Sequence, residues 1–367
     1  MAKVLEAPSS TAEDQPTAGV PTRGRRVLDA VDERLGIRAI QYPVPEHANN
    51  LGWSLGGLTA ICLAILIVTG VLLAQWYNPV PEQANASVRY LVQHVFLGEF
   101  VRNLHFWAAQ AMYVLVILHL LRVFLTGSYK RPREANWLIG VTMFALVIGA
   151  IFTGTVLKWD QEGFEALGHN LEIGKLLGGI GFWFSPKFAG NVSILSRLFI
   201  AHVAIIPGLT LGLLAVHGML IKRHGISPDP ELEAAGVAAS EPTEPFTHHL
   251  RRLAGFGLIL LGLLGLLAVL WPRGVGPTPV EGIEVTKPPW MFWWLFSFEN
   301  WIGLKGILWG SGGLFALLVA VPFIDRNPER RWRHRPVAMI CLLAVLATIV
   351  ALTVLTSVTT PAQHLGG

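Results

Sequence analysis

The chain has 367 residues, 52% of them hydrophobic and only 14% charged, with a formal net charge of +4. A mean hydropathy of +0.51 excludes a soluble globule and implies a polytopic membrane protein. The small positive excess sits at span ends, so it reads as a topology signal and headgroup contact rather than nucleic-acid binding.

The apolar runs have helix length and lack the alternation of barrel strands, so the fold class is an all-α integral membrane protein with seven transmembrane helices. Residues 1–26 are polar, with Pro, Thr and Ser and no apolar run. They read as a disordered tail without a cleavable signal peptide. Within 27–50, Val27, Leu28, Val31, Leu35, Ile37 and Ile40 recur among charges, which predicts an amphipathic helix lying on the membrane surface. Four spans follow, near 52–76, 105–126, 137–157 and 197–221, in a unit over 51–223. A hydrophilic stretch with Pro228, Pro230, Pro242 and Pro245 marks a linker over 224–250. Three more spans, near 253–271, 302–324 and 336–357, form a second unit over 251–360. Lys and Arg favour the side of the N-terminal tail, which places the N-terminus in the cytoplasm and the C-terminus outside.

Two loops on the outer side are long. Residues 158–196 contain Trp159–Asp160–Gln161, the glycines Gly174, Gly178, Gly179 and Gly181, and Phe182–Trp183–Phe184. Residues 272–301 contain Pro288–Pro289–Trp290 and further aromatics. Aromatics at this depth serve as interface anchors or as the cover of a pocket for a lipid-soluble substrate. The two cysteines, Cys62 and Cys341, lie within spans, and no Cys-x-x-Cys-His occurs. Neither a c-type haem nor a disulfide is expected.

Four histidines carry the chemistry. His105 and His119 lie 14 residues apart in the second span, and His202 and His217 lie 15 apart in the fourth. An intramembrane histidine costs free energy unless it has a partner or a function. At about 1.5 Å per residue each pair spans roughly 21–22 Å, which puts one imidazole near each edge of the ~30 Å hydrocarbon layer. Fourteen steps of about 100° fall ~40° short of four turns and fifteen overshoot by ~60°, so both rings of a helix point to roughly the same side. Two such helices make two stacked bis-histidine sites, suited to two non-covalent b haems with histidine-ligated iron.

The glycines repeat this spacing. Gly56 and Gly70 are 14 apart in the first span, and Gly140 and Gly154 are 14 apart in the third. Helical glycine marks close approach, here of a flat macrocycle at the depth of each histidine; small-residue helix packing is the alternative. Arg102, Arg122 and Arg197 flank the histidines where haem propionates would gain charge-assisted bonds, although span-end arginines also arise by snorkelling. The remaining histidines, His47, His94, His169, His224, His248, His249, His334 and His364, read as mostly solvated.

These features resemble the cytochrome b of cytochrome bc complexes, the quinol–cytochrome c oxidoreductases, over residues 27 to 357. The stretches that carry the likeness are Asp32–Glu33–Arg34–Leu35, Leu55–Gly56–Gly57–Leu58–Thr59, Arg102 with His105, His119 with Arg122, Lys130–Arg131–Pro132–Arg133–Glu134, Trp159–Asp160–Gln161 and Gly225–Ile226–Ser227. The first four spans look most like the chloroplast-type form, and the last three look like its separate fourth subunit, fused here through the linker. The resemblance implies that His105 and His202 hold a low-potential haem near the outer face and that His119 and His217 hold a high-potential haem near the cytoplasm. It also implies a bacterial cytoplasmic membrane and a homodimeric multi-subunit complex. A Rieske iron–sulfur protein and a c-type cytochrome would be its partners, with membrane lipids around them.

Three departures stand out. The family's quinol-oxidation motif, Pro-Glu-Trp-Tyr, reads Pro288–Pro289–Trp290–Met291 here. Pro289 cannot titrate, so Glu299 or Asp160 is expected to take the proton, and menaquinol is the preferred substrate. Ser54 stands where the chloroplast-type form attaches an extra haem through cysteine, so no covalent haem is expected. Lys158 replaces a proline before Trp159. The resulting expectation is quinol oxidation at an outer site near Trp159–Asp160 and Pro288–Trp290. Electrons would cross to a quinone site near His217, Lys222 and the N-terminal helix, coupled to proton translocation. A haem-bearing membrane anchor of a dehydrogenase, and a haem-free transporter using histidine proton relay, are the rival readings.

Overall fold

The computed structural model describes residues 23–36 and 41–360. Residues 1–22 of the predicted tail over 1–26, and the apolar positions Ile37 and Ile40, lie outside the described residues. The chain divides into two compact units, residues 1–43 and residues 44–367. In the first, α1 (Arg23–Leu35) begins inside the stretch expected to be a tail, because Arg23, Arg25 and Arg26 are good helix formers. Val27 and Val31, one turn apart, are both exposed. The helix stops at Gly36, whose φ of 62° turns the chain left-handed.

Two three-residue strands, β1 (Pro43–Pro45) and β2 (Thr243–Pro245), pair in a small sheet. The first span is α2 (Leu51–Ala74), capped by the Asn50 side chain accepting from the Trp53 N–H. A short helix, α3 (Pro81–His94), precedes the second span, α4 (Gly98–Leu125). The third span is α5 (Glu134–Leu157). The loop after it contains α6 (Gln161–Leu176), capped by Asp160. The fourth span runs through α7 (Ile194–Ile200), a π turn over Ala201–Ile205 and α8 (Ile206–His224).

The stretch read as a linker is ordered. It holds α9 (Pro230–Ala234), β2 and the first turn of α10 (Phe246–Leu270). Arg330 pairs with Glu233 at 2.6 Å, and His47 Nδ1 lies 2.7 Å from Glu241 Oε2 with only 8% of its side chain exposed. His47 is therefore fixed in place, where the sequence read as solvated. The chain ends with α11 (Trp293–Ile302), α12 (Lys305–Ile324) and α13 (Pro336–Val358). Among the described residues, seven helices are thus long and apolar enough to cross a membrane.

Packing does not follow the division at the linker. Leu264 and Ala268 of α10 bury against Leu104 and Ala108 of α4. On the other side, Phe315 and Leu318 of α12 pack on Tyr113, Val116 and Phe144 of α4 and α5. Within the bundle, Cys62, Leu63, Met112 and Val147 form one cluster. Each lies between the two histidines or two glycines of its own helix, so an apolar layer separates the two histidine levels. We call the end that carries α6 and residues 272–292 the loop face, and the end that carries residues 225–245 the linker face.

Candidate functional site

At the loop-face level the His105 and His202 rings stand 6.2 Å apart, centre to centre, with an interplanar angle of 58°. Two metal–nitrogen bonds of about 2.0–2.1 Å, with roughly 1.1 Å more from each nitrogen to its ring centre, require about 6.3 Å between axial imidazoles. The observed gap therefore fits two ligands on one iron. The Thr69 hydroxyl donates to the Ile65 carbonyl at 2.7 Å and lies 2.8 Å from His105 Nδ1. Thr153 repeats this with the Gly149 carbonyl at 2.8 Å and His202 Nδ1 at 2.9 Å. A hydroxyl has one hydrogen, so each threonine accepts from the ring. That keeps the proton on Nδ1 and leaves Nε2 bare, the state a metal ligand needs.

The π turn explains the unequal spacing. Pro207 has no N–H to offer, and the Ile206 N–H reaches back to the Ala201 carbonyl, five residues away. A π turn absorbs an extra residue within a helix. The turn contains His202 and continues toward His217, so the 15-residue separation loses excess rotation expected of a regular helix.

Each glycine faces one histidine. A Cβ at Gly70 would lie 3.4 Å from His105 Cε1, and at Gly154 3.0 Å from His202 Cε1. On the linker-face level, a Cβ at Gly56 would lie 2.9 Å from His119 Cε1, and at Gly140 3.8 Å from His217 Cε1. Small-residue packing between helices does not predict this one-to-one register. The opening also accommodates the axial imidazole itself, beyond the macrocycle the spacing suggested. Arg122 lies beside the linker-face pair, with Nη2 3.4 Å from His119 Nδ1 and its guanidinium 4.5 Å over the Trp53 ring. Its Nε is buried without a hydrogen-bond partner. A desolvated guanidinium N–H calls for an anion, and a haem carboxylate supplies one.

Residues 39–225 match the family described as cytochrome b/b6/petB. The chain belongs to the cytochrome b/b6 family. Residues 278–365 match the family's C-terminal part, described as cytochrome b(C-terminal)/b6/petD. Cytochrome b6 of Heliobacterium modesticaldum is 40% identical over 194 residues, covering 52% of this chain and 91% of that protein. The menaquinol:cytochrome c reductase cytochrome b subunit of Geobacillus thermodenitrificans is 38% identical over 218 residues, covering 55% and 97%. In fold, the chain is similar to a chain of a hyperthermophilic respiratory Complex III, with a TM-score of 0.76 at 22% identity, covering 91% of this chain and 92% of that one. Membership implies non-covalently bound haem b and quinone.

In this cytochrome b, Trp290, Met291 and Phe292, which follow Pro288–Pro289, line an apolar cavity of about 1120 Å³ between α4, α5, α12 and α13. Trp290 donates from Nε1 to Gln110 Oε1 at 2.7 Å and sets its ring edge-on to Tyr113 at 5.4 Å. The Pro288 carbonyl accepts from Trp293 Nε1 at 2.7 Å, and the Pro289 carbonyl from the Phe292 N–H at 2.8 Å. The cavity extends to Asp325 and Arg335 at the linker face. Trp159 sits at φ 49°, a strained conformation worth about 1–3 kcal/mol, and Lys158 beside it pairs with Glu162 at 2.5 Å.

Several predicted site residues are engaged elsewhere. Asp160 accepts from the Gly163 and Gly276 N–H groups, both at 3.0 Å, and so ties α6 to the 272–278 segment. Arg102 donates to the carbonyls of Arg273 at 2.5 Å and Gly274 at 3.3 Å. Arg197 donates to the carbonyls of Ser185, at 2.9 Å, and Trp183. Both arginines hold loop carbonyls at the span ends, tying the loops to α4 and α7. Lys222 lies exposed in the last turn of α8. Ser54 is buried, and its hydroxyl donates to the Asn50 carbonyl at 2.9 Å.

A cluster absent from the sequence reading lies at the loop face. His169 Nε2 is 3.0 Å from Glu284 and 2.9 Å from Glu299, and the two carboxylates are 1% and 0% exposed. Burial alone would lower the proton affinity of His169, but hydrogen bonds and charge from the two carboxylates push it up to about 10. His169 is therefore an imidazolium at neutral pH, and the solvated reading of it is corrected. Only long-range folding joins α6, residues 284–288 and α11, so no local pattern could have shown it.

Proposed function

We propose that the chain is the cytochrome b subunit of a quinol:cytochrome c oxidoreductase that binds two b haems between paired histidines. The register of four glycines against four imidazoles carries this reading. His105 and His202 would hold one haem and His119 and His217 the other. When bound, haem supplies reversible one-electron chemistry at two depths. The protein does the rest. Thr69 and Thr153 fix the ring tautomer, Arg122 offers a charge to a carboxylate, and the Cys62–Met112–Val147 layer excludes water between the levels.

Quinol would be oxidised at the loop face. Trp290, braced by Gln110 and Tyr113, walls an apolar cavity that suits a lipid-soluble substrate. Pro289 offers no proton acceptor there, and Glu299 is our candidate for that role, since Asp160 is committed to backbone N–H groups. A quinone would be reduced near His217 and Lys222 at the linker face. We assign that face to the cytoplasm from the distribution of Lys and Arg. Electrons would leave through a Rieske protein and a c-type cytochrome in a homodimeric complex within the bacterial cytoplasmic membrane. Menaquinol is the proposed substrate, in keeping with the Geobacillus relative, and no covalent haem is proposed at Ser54.

A reduced-minus-oxidised spectrum of the purified complex, paired with turnover on menaquinol and ubiquinol analogues, tests this. Two b-type components and faster turnover with menaquinol are expected. Absence of b-type absorption overturns the haem assignment, and a preference for ubiquinol overturns the substrate. Loss of turnover in Glu299→Gln is expected; undiminished turnover removes Glu299 as the acceptor.

A further inference from the structure

We propose that His169, Glu284 and Glu299 form a site for a divalent transition cation of the zinc class, separate from the histidine pairs. One nitrogen and two carboxylate oxygens from these residues lie within 4.8 Å of one another. They come from three segments that meet only in the folded chain: α6, the 279–288 strand of coil, and α11. His169 Nδ1 is 2.8 Å from the Glu165 carbonyl and donates to it, which fixes the ring and turns Nε2 into the cluster. That Nε2 atom is buried and lies within ion-pair distance of both carboxylates. A histidine anchored through one nitrogen to a backbone carbonyl, with the other aimed at carboxylates, is the usual support of a metal ligand.

The dimensions suit a small cation. Tetrahedral bonds of about 2.0–2.1 Å separate ligand atoms by roughly 3.3 Å, so the 3.0 and 2.9 Å gaps would open by a few tenths of an ångström. The charges also suit it. Two carboxylates and a neutral imidazole balance a divalent ion, and the ring proton leaves for water as the cation enters. Imidazole favours zinc, copper, iron or nickel over calcium or magnesium. Three protein ligands leave a fourth position for water.

The surroundings give the site a consequence. Glu165 accepts from the Val285 and Thr286 N–H groups at 2.9 and 3.0 Å, so residues beside Glu284 are already tied to α6. A cation would fasten the same segment to α11 as well, on both sides of Pro288–Pro289–Trp290. The proposal does not depend on the haem reading.

The test uses the purified full-length complex, treated with chelator and then equilibrated with Zn²⁺ alone. Zinc is measured by elemental analysis, and its neighbours by X-ray absorption at the zinc edge. One zinc per chain is expected, with one nitrogen and two or three oxygen neighbours at about 2.0–2.1 Å. Glu284→Gln and Glu299→Gln should each weaken binding tenfold or more, and Glu284→Gln, which lies outside the proposed quinol chemistry, should leave the visible spectrum of the complex unchanged. No stoichiometric zinc, a shell with two or more imidazoles, or undiminished affinity in both variants overturns the site. The absorption measurement on the unsubstituted protein decides the matter even if a variant fails to fold.

Discussion

The two faces of the molecule bury opposite charges. Among the described residues, the charged side chains with the least exposure are Asp160, Glu165, Glu284 and Glu299, at 2%, 3%, 4% and 0%, all at the loop face, and Arg335, at 1%, at the linker face. The histidine levels follow the same rule. The loop-face pair rests on two neutral threonine hydroxyls, and the linker-face pair rests beside Arg122. An electron moving from the loop face to the linker face leaves buried carboxylates and approaches buried guanidinium groups. At an effective dielectric of about 20, unit charges ~10 Å apart interact by about 1.7 kcal/mol, so a few such groups set a direction. With haems held as proposed, the asymmetry would favour a lower potential at His105 and His202 and a higher one at His119 and His217.

The largest effect that could break the comparison is loss of one level alone. His105→Ala or His202→Ala should remove about half of the b-type absorption and keep the rest, because each pair shares one depth. His119→Ala and His217→Ala should remove the complementary half. Redox titration of the residual haem identifies which level survives. If either variant of the first pair kept both haems intact, the pairing would be wrong.

Next comes a graded series at the glycines. A Cβ would meet an imidazole carbon at 2.9 Å from Gly56 and 3.0 Å from Gly154, but at 3.4 Å from Gly70 and 3.8 Å from Gly140. Gly56→Ala and Gly154→Ala should therefore cost haem occupancy or shift the spectrum, with overpacking of about 1–3 kcal/mol. Gly140→Ala should be tolerated. Equal tolerance at all four positions would reduce these glycines to helix packing, and haem content per chain is the readout.

These two series rest on the part of the site that was legible in sequence. Histidines and glycines at a shared spacing on known helix periods announce one face and two depths without any tertiary knowledge. The π turn was half-legible: fifteen residues in place of fourteen, followed by Pro207, is its trace, but a regular helix was assumed. All seven spans were legible from hydropathy, with ends shifted by several residues, most at α4 and α10, where polar first turns continue the helix. The His169 cluster was not legible as a cluster, because His169 is more than a hundred residues from both Glu284 and Glu299 and no motif links them. For Arg102 and Arg197 the span-end position was legible, but the loop carbonyls they hold appear only once the loops are folded. The linker's position was legible from its prolines, but not its local structure: Pro230 opens α9, and Pro245 ends β2 and precedes α10.

A smaller effect should come from Arg122. Arg122→Gln keeps a donor and removes the charge beside His119, so the linker-face haem should fall in potential by about 50 mV, on the scale of 59 mV per 1.4 kcal/mol for one electron. The loop-face haem should move much less. Equal shifts at both levels, or none, would show that the buried charge does not distinguish them. Arg122→Lys restores the charge without the planar fork and should recover most of the potential, which separates charge from geometry.

The smallest effect lies in acid stability at the linker face. Asp325 lies 3.0 Å from Arg335 and 3.2 Å from Lys130, and Tyr129 donates to it. Burial raises the proton affinity of this carboxyl, but hydrogen bonds from Tyr129 and Lys130, with the charges of Lys130 and Arg335, outweigh it and hold the group below the ordinary carboxylate range. A depressed folded-state value contributes stability that is fully present above the unfolded value, about 3.9, and is lost as pH falls through the folded value. The detergent-solubilised protein should therefore lose thermal stability below about pH 4, and Asp325→Asn, starting from a lower plateau with Arg335 left unpaired, should show a shallower acid slope. Haem spectra at neutral pH should be alike in both, because the network holds α12 and α13 to the end of α4 and touches neither histidine pair. A slope unchanged by the substitution would mean that other carboxylates govern acid unfolding and that the linker-face network is electrostatically silent.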